Sequence, residues 1–455
     1  MQHHPDVRAQ LRAEFTDWRP WMTRAIVLAF AAAAGLTVAF FTWVAEKAFH
    51  LFAQLHAAWW WAPLLWMPAI TASIVWLTRR FLPGAAGSGI PQVMAATDTS
   101  VSSAQHGLFV SVRMSIGKLF LTAAGLLGGL SLGREGPSVQ IAAGILHHAR
   151  RWLPERSTVN ENGLLVAGGA AGIAAAFNTP LGGVMFAIEE LSRRPEQRSS
   201  GLLIAAIVLA GLMSVSIYGN ATYFGVISVS GLNWSLFWPG LLVAVLCGAA
   251  GGLFARLLIM SASGGLDWAS RLRRRAPVSF AAACGLVLAV IGLAVGGATF
   301  GSGYEQTRGL LEGEHSVGPL YTLLKFVATW ITTWSGVPGG IFAPSLAIGA
   351  GLGSDVASLT GFVDRPALIA LGMAGFLAAV TQAPLTSFII VMEMVAGHSM
   401  VLSLMACTMV ASLVSRLISV PLYGALTRLQ LARLPDKKAE PREGGSDQVA
   451  SVRPG

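Results

Sequence analysis

The chain has 455 residues, 54% of them hydrophobic and 12% charged, with a mean hydropathy of +0.62. Soluble globular domains carry about 25% charged residues, so the composition excludes a water-soluble fold and predicts an all-α, polytopic membrane protein. The net charge of +9 is spread over clusters that flank apolar runs (Arg79-Arg80, Arg150-Arg151, Arg193-Arg194, Arg271 to Arg275, Lys437-Lys438), which argues against one nucleic-acid-binding patch.

In chain order, residues 1–22 form a polar N-terminal segment without the pattern of a cleavable signal peptide. Pro5 to Phe15 reads equally as a short amphipathic surface helix or a loose tail. Spanning-length apolar runs follow at Ala25–Val44, Trp59–Leu77, Leu203–Tyr218, Leu241–Met260 and Ser279–Val295. The segments at 218–234 and 299–317 hold few basic residues. The positive-inside rule therefore places the basic loops and both termini in the cytoplasm of a cell whose inner (plasma) membrane holds the protein. The three cysteines, Cys247, Cys284 and Cys407, lie inside apolar runs and are expected as buried thiols. The polar segment at 432–455 is expected to be a disordered cytoplasmic tail.

Other apolar segments are too short to cross a bilayer: Gly87–Met94, Ser138–His147, Ala343–Leu352 and Ala367–Ala379. Broken helices at membrane depth are tolerated where the freed backbone is buried in protein or lines a polar cavity. Two halves align. At a constant offset Lys118 meets Lys325, Gly133 meets Gly340 and Pro137-Ser138 meets Pro344-Ser345; shortly after, Pro180-Leu181 meets Pro384-Leu385 and Glu189 meets Glu393. We read a first repeat over 23–217 and a second over 218–431, and interrupted segments in matching positions point to a transport site.

Three loops share one form, glycine followed by proline at the start of a short apolar helix: Gly87-Ser88-Gly89-Ile90-Pro91, Gly133-Arg134-Glu135-Gly136-Pro137 and Gly340-Ile341-Phe342-Ala343-Pro344. Proline suits the first helical turn, and glycines leave free N–H groups at the positive end of the helix dipole, a site for an anion. With few cations in the spans, amide and hydroxyl donors favour a small halide-like ion. An intramembrane enzyme is not expected, on the reading that neither a His-Glu-x-x-His metal motif nor a Gly-x-Ser-x-Gly nucleophile motif is present.

The motifs GSGIP, GREGP, GGIFAP and the late VPLYGAL together resemble the CLC family of chloride channels and chloride/proton antiporters, in family order and from about Arg24 to Leu431. The resemblance implies a CLC-type fold of about eighteen tilted and broken helices in two inverted repeats. It also implies a homodimer with one pore per subunit and no cofactor, chloride being bound as substrate. By the same resemblance, Ser88 and Tyr423 give hydroxyls and Ile341 and Phe342 give amides to a central chloride. The amides of Gly87 and Ser88 would face an inner site, and those of Arg134, Glu135 and Gly136 an outer one. On this short tail the nucleotide-binding CBS modules of larger relatives are not expected. Ser88 present in GSGIP disfavours the fluoride-selective branch.

At a helix N-terminus that binds anions, the Glu135 carboxylate can occupy the outer site and leave it on protonation, which links proton to chloride. A structural Arg134–Glu135 pair is the competing account. Glu189-Glu190 is the candidate internal proton donor. Adjacent helical residues point about 100° apart. Glu189, matched by Glu393, suits a structural duty common to both halves, whereas Glu190 faces Met394 and is the asymmetric residue. The resemblance matches Glu190 to the family's internal proton glutamate and therefore implies an antiporter. A helix-end carboxylate paired with Arg193 or Arg194 competes for Glu190, and a passive chloride channel of the same fold is the alternative function.

Overall fold

In the computed structural model, residues 18–434 are described, apart from 156, 158, 193–199, 220–221, 227–233, 266–267, 314–317 and 319. Pro5–Phe15, Arg193, Arg194 and the tail beyond Leu434 lie outside the described residues. Nineteen α-helical segments are present among the described residues, one of them a single turn, in line with the expected number, and an isolated bridge between Gly133 and Gly340 is the one β-type pairing among them.

The first half comprises α1 (Trp18–Ala58), α2 (Pro63–Phe81), α3 (Ile90–Ala96), α4 (His106–Phe109), α5 (Val112–Leu127), α6 (Glu135–His148), α7 (Glu161–Phe177), α8 (Pro180–Phe186) and α9 (Ser200–Tyr218). The second comprises α10 (Phe237–Ser263), α11 (Trp268–Arg275), α12 (Pro277–Ala294), α13 (Tyr304–Glu312), α14 (Tyr321–Ser335), α15 (Phe342–Thr360), α16 (Arg365–Thr381), α17 (Pro384–Met394), α18 (Val401–Arg416) and α19 (Leu422–Leu431). Six helical stretches are long and apolar enough to cross a membrane, so the chain is a multi-pass membrane protein. The three cysteines are buried free thiols.

Three sets of contacts relate the halves by a pseudo-two-fold. Gly133 N–H donates to Gly340 O at 2.7 Å and Gly340 N–H to Gly133 O at 2.8 Å. Glu189 accepts from Leu385 N and Thr386 N at 3.2 and 2.6 Å, while Glu393 accepts from Leu181 N and Gly182 N at 3.2 and 2.8 Å. Each carboxylate thus caps the broken helix of the other half, α17 or α8, and compensates its free amides and dipole. Lys118 Nζ donates to Ala85 O and Gly87 O at 2.7 and 2.5 Å; its counterpart Lys325 Nζ donates to Thr299 O and Gly301 O at 3.0 and 2.8 Å. A contact that repeats with its partners exchanged is what a two-fold generates.

The lysines expose a match that sequence reading passed over. Gly301-Ser302-Gly303 is the second-half counterpart of Gly87-Ser88-Gly89, tied by the same lysine geometry. It went unseen because Tyr304-Glu305 replaces Ile90-Pro91 behind it. The segment Ala343–Leu352 also differs from expectation: its helix runs on to Thr360. Its glycines serve contact and do not break it. A Cβ built on Gly372 of α16 would lie 2.2 Å from Gly349 O of α15, and one on the repeat-matched Gly168 of α7 would lie 2.6 Å from Ala143 Cα of α6. Small residues at such crossings let backbones approach closely where apolar burial gives no net drive between helices in lipid.

Gly372→Leu must push α15 and α16 apart, a cost above about 3 kcal/mol for overpacking against backbone. It should lower the thermal unfolding midpoint and yield aggregated material by size-exclusion chromatography. Gly201→Ala, where a Cβ meets nothing within 4 Å, should behave as the parent chain.

Candidate anion pathway

The loops that begin α3, α6 and α15 meet at one point. Besides the Gly133–Gly340 pair, Gly339 N–H donates to Gly87 O at 3.2 Å. Gly89, with φ of 114°, lies where a Cβ would sit 2.4 Å from Gly136 O; only glycine satisfies both the backbone angle and the approach. Gln92 Oε1 accepts from Gly89 N at 2.9 Å, closing the first turn of α3.

The N-termini of α6 and α15 receive no side-chain cap from their own N-cap residues, Arg134 and Ile341. Glu135 is 1% exposed, and its Oε2 accepts from Ala343 N of α15 at 3.4 Å. The carboxylate lies over Gly133, where a Cβ would be 2.1 Å from the same oxygen. Glu135 of one half thus rests on the helix terminus of the other. Arg134 turns away from it: Nη1 donates to Glu46 Oε1 at 2.8 Å and Nη2 to Tyr223 Oη at 3.2 Å, with the guanidinium 5.6 Å from the Tyr223 ring centroid. The Arg134 side chain is held by these two groups, and the expected alternative of an Arg134–Glu135 pair is not what the structure forms.

Ser88 Oγ and Tyr423 Oη are both buried, and neither makes a hydrogen bond of good geometry within the protein, although the two hydroxyls approach each other. Ser88 is not the helix cap; Gly89 holds that position. Tyr423 is 0% exposed and so is not a tyrosine of the membrane–water boundary. Its ring stacks on Phe342 with centroids 6.1 Å apart, and Phe177 and Phe186 each lie 6.2 Å from Phe342. Buried polar groups are hydrogen-bonded in more than about nine cases in ten, so two converging orphan hydroxyls beside uncapped helix amides make a donor set for an acceptor such as an anion. The aromatic wall excludes water and strengthens those donors. Ile341 and Phe342, the amides expected at this centre, are both buried at the start of α15.

On the other flank, α8 passes into a π-helical turn over Ala187–Leu191. Glu189 and Glu190 both sit in that turn, a rare conformation frequent at functional sites. Glu189 caps α17, the structural duty expected of it. Glu190 is half-buried and close enough to interact electrostatically with the Tyr423 phenol, as is Glu135. The two acids therefore lie within electrostatic reach of the same tyrosine. The candidate pairing with Arg193 or Arg194 lies outside the described residues.

Contrary to the expectation that no Gly-x-Ser-x-Gly arrangement is present, Gly129-Leu130-Ser131-Leu132-Gly133 matches that pattern of hydrolase nucleophiles. Ser131 is buried and its hydroxyl exchanges a hydrogen bond with Thr329 at 2.9 Å, joining α14 to the loop before α6, so it serves as a strut.

Fold and site together define a broken-helix membrane protein whose centre is built from opposed helix N-termini. The family described as "Voltage gated chloride channel" matches residues 69–416, and the chain belongs to that family. Named "H(+)/Cl(-) exchange transporter ClcA" are similar proteins of Klebsiella pneumoniae (31% identity, 86% of this chain and 84% of that one) and Yersinia pestis (31%, 92% and 90%). The one of Vibrio parahaemolyticus is 28% identical over 88% of this chain and 89% of its own. The solved structure of a slow cyanobacterial Cl-/H+ antiporter shares the fold with a TM-score of 0.79 at 24% identity, covering 91% of this chain and 99% of that one. A CLC-type fluoride/proton antiporter does so with 0.73 at 23%, covering 88% and 96%.

Lys118→Met removes the cation that gathers the Ala85 and Gly87 carbonyls and leaves both unpaired, at about 1–3 kcal/mol each. The Ser88 loop loosens, and bromide affinity measured by calorimetry should fall at least tenfold, whereas Arg113→Gln, remote from the loop, should leave it unchanged.

Proposed function

We propose that the protein is a secondary-active chloride/proton antiporter of the inner membrane. The observation that carries this reading is the Glu135 carboxylate lying against the uncapped N-terminus of α15, beside the free hydroxyls of Ser88 and Tyr423. A carboxylate and a chloride compete for the same amides. When Glu135 takes up a proton its charge is gone, the amides release it, and chloride takes the place. When chloride leaves, the carboxylate returns and gives up the proton.

Chloride is bound at the centre by the Ser88 and Tyr423 hydroxyls and the amides of Ile341 and Phe342. The amides of Gly87 and Ser88 serve the inner approach, and those of Arg134, Glu135 and Gly136 the outer one. The Arg134 side chain positions the outer loop through Glu46 and Tyr223. Glu190 brings protons from the cytoplasmic side, and its closeness to Tyr423 supports that route. No resident cofactor enters the cycle.

The exposed apolar residues of α8 and the turn after it, α9 and α18, among them Leu181, Ile188, Leu212, Leu402 and Leu413, suit a homodimer with one pathway per subunit. The positions of the basic loops favour termini on the cytoplasmic side.

In liposomes loaded with chloride, the outward anion gradient should drive protons inward, and a flat pH trace during chloride efflux would instead identify the passive channel. Glu135→Gln keeps the shape and removes the charge: chloride flux should persist while coupled proton movement falls below a tenth. Glu190→Ala should likewise abolish proton movement and spare chloride flux, and undiminished acidification would move the internal proton role to another residue.

A further inference from the structure

At the end of α6 opposite Glu135 the structure has a cavity of about 730 Å³, within the range of small-molecule sites. Its wall carries Arg113, His147, His148, Arg150, Arg151 and Ser111; among the described residues no carboxylate lines it. One acid lies just behind. Glu161 accepts from Ser103 at 2.7 Å, from Arg150 at 2.5 Å, and meets His147 Nε2 at 2.7 Å and His106 Nδ1 at 2.9 Å. That single carboxylate holds Arg150 and His147 in place, so these cavity-wall groups are fixed in position and do not wave in solvent. Arg113 and Arg151 are exposed to the cavity mouth.

An apolar track leads away from this basic pocket. Val112, Ile116 and Phe120 of α5 are 41%, 54% and 63% exposed and share one helix face at spacings of four. The track begins at the cavity wall and covers about 12 Å along α5 at 1.5 Å per residue. Trp152, 63% exposed and next to Arg151, has the character of a side chain at the membrane–water boundary. Cation-rich pocket, interfacial tryptophan and apolar track form one continuous surface.

We infer that this surface binds an anionic phospholipid, its phosphate group in the pocket of Arg113, Arg150 and Arg151 and an acyl chain along Val112, Ile116 and Phe120. Arginine suits the phosphate because its planar fork donates two bonds at once. Basic pockets between membrane helices on the cytoplasmic side recognise lipid head groups by this chemistry. The shared feature with a soluble ligand is the phosphate; the apolar track is what selects the lipid. None of these residues touches the anion pathway.

Native mass spectrometry of the detergent-purified full chain tests the assignment, with phosphatidic acid and phosphatidylcholine as probes. The chain should retain phosphatidic acid in preference to phosphatidylcholine. Arg113→Gln/Arg151→Gln should lose that retention by roughly tenfold, given the attraction of each basic residue for an anionic surface. Arg113→Lys/Arg151→Lys, which keeps the charge, should retain most of it. Equal retention by the glutamine variant overturns the site. The unmodified chain gives a second test: inorganic pyrophosphate at equal concentration should not displace the lipid. Complete displacement would show a soluble phosphate ligand and overturn the lipid assignment.

Discussion

Two backbone hydrogen bonds between Gly133 and Gly340, at 2.7 and 2.8 Å, set the geometry from which the pathway follows. They bring α6 and α15 N-terminus to N-terminus. Each terminus presents free amides and the positive end of a dipole, so the two repel one another unless a negative charge stands between them. The chain supplies that charge from within as Glu135, on the first turn of α6, reaching the first turn of α15. An arrangement that requires an anion at its centre, and offers one that a proton can discharge, couples the two ions by electrostatics alone.

Why these termini and not others follows from the remaining glutamates. Among the helices that start with proline-bearing first turns are two repeat-matched pairs, α6 with α15 and α8 with α17. In α8 and α17 the free amides are already taken by Glu393 and Glu189. These carboxylates fix the helices against each other and leave nothing for a mobile ion. In α6 and α15 no fixed acid plays that part. The anion site is thus defined by where the fold withholds a permanent cap. Lys118 and Lys325 act on the other pole of the backbone, gathering carbonyls, so that the loops show N–H groups inward and turn C=O groups to a cation.

Much of this was legible in the sequence. The paired lysines, the Pro-Ser positions and Glu189 with Glu393 announced a repeat, because a two-fold forces matched positions to do matched work. Glu189's capping role followed from its having a counterpart. What stayed hidden depended on chain crossings that spacing does not encode. Glu46 and Tyr223, which hold Arg134, are 88 and 89 residues from it, and no local pattern marks them. The GSG loop at Gly301 was masked by a changed helix start. Ala343–Leu352 read as short because its glycines resemble breaks, although they are contact points, Gly349 against α16 and Gly351 against Thr322 of α14. The Glu161 cluster was missed because Glu161 and its four partners come from three separate segments.

The asymmetry between the halves carries the last step. A perfect two-fold would give each half a Glu135 and a Glu190, and two opposed gates would close the same centre twice. Instead Glu135 is matched by Phe342, and Glu190 by Met394. Phe342 turns the second half's position into an apolar wall, stacked on Tyr423 and flanked by Phe177 and Phe186. That wall keeps the centre dry, which raises the worth of each amide and hydroxyl donor there. It also leaves Glu135 and Glu190 as two unmatched acids within electrostatic reach of Tyr423. Duplication therefore builds the opposed helix ends, and departure from it at two positions gives the pathway a direction.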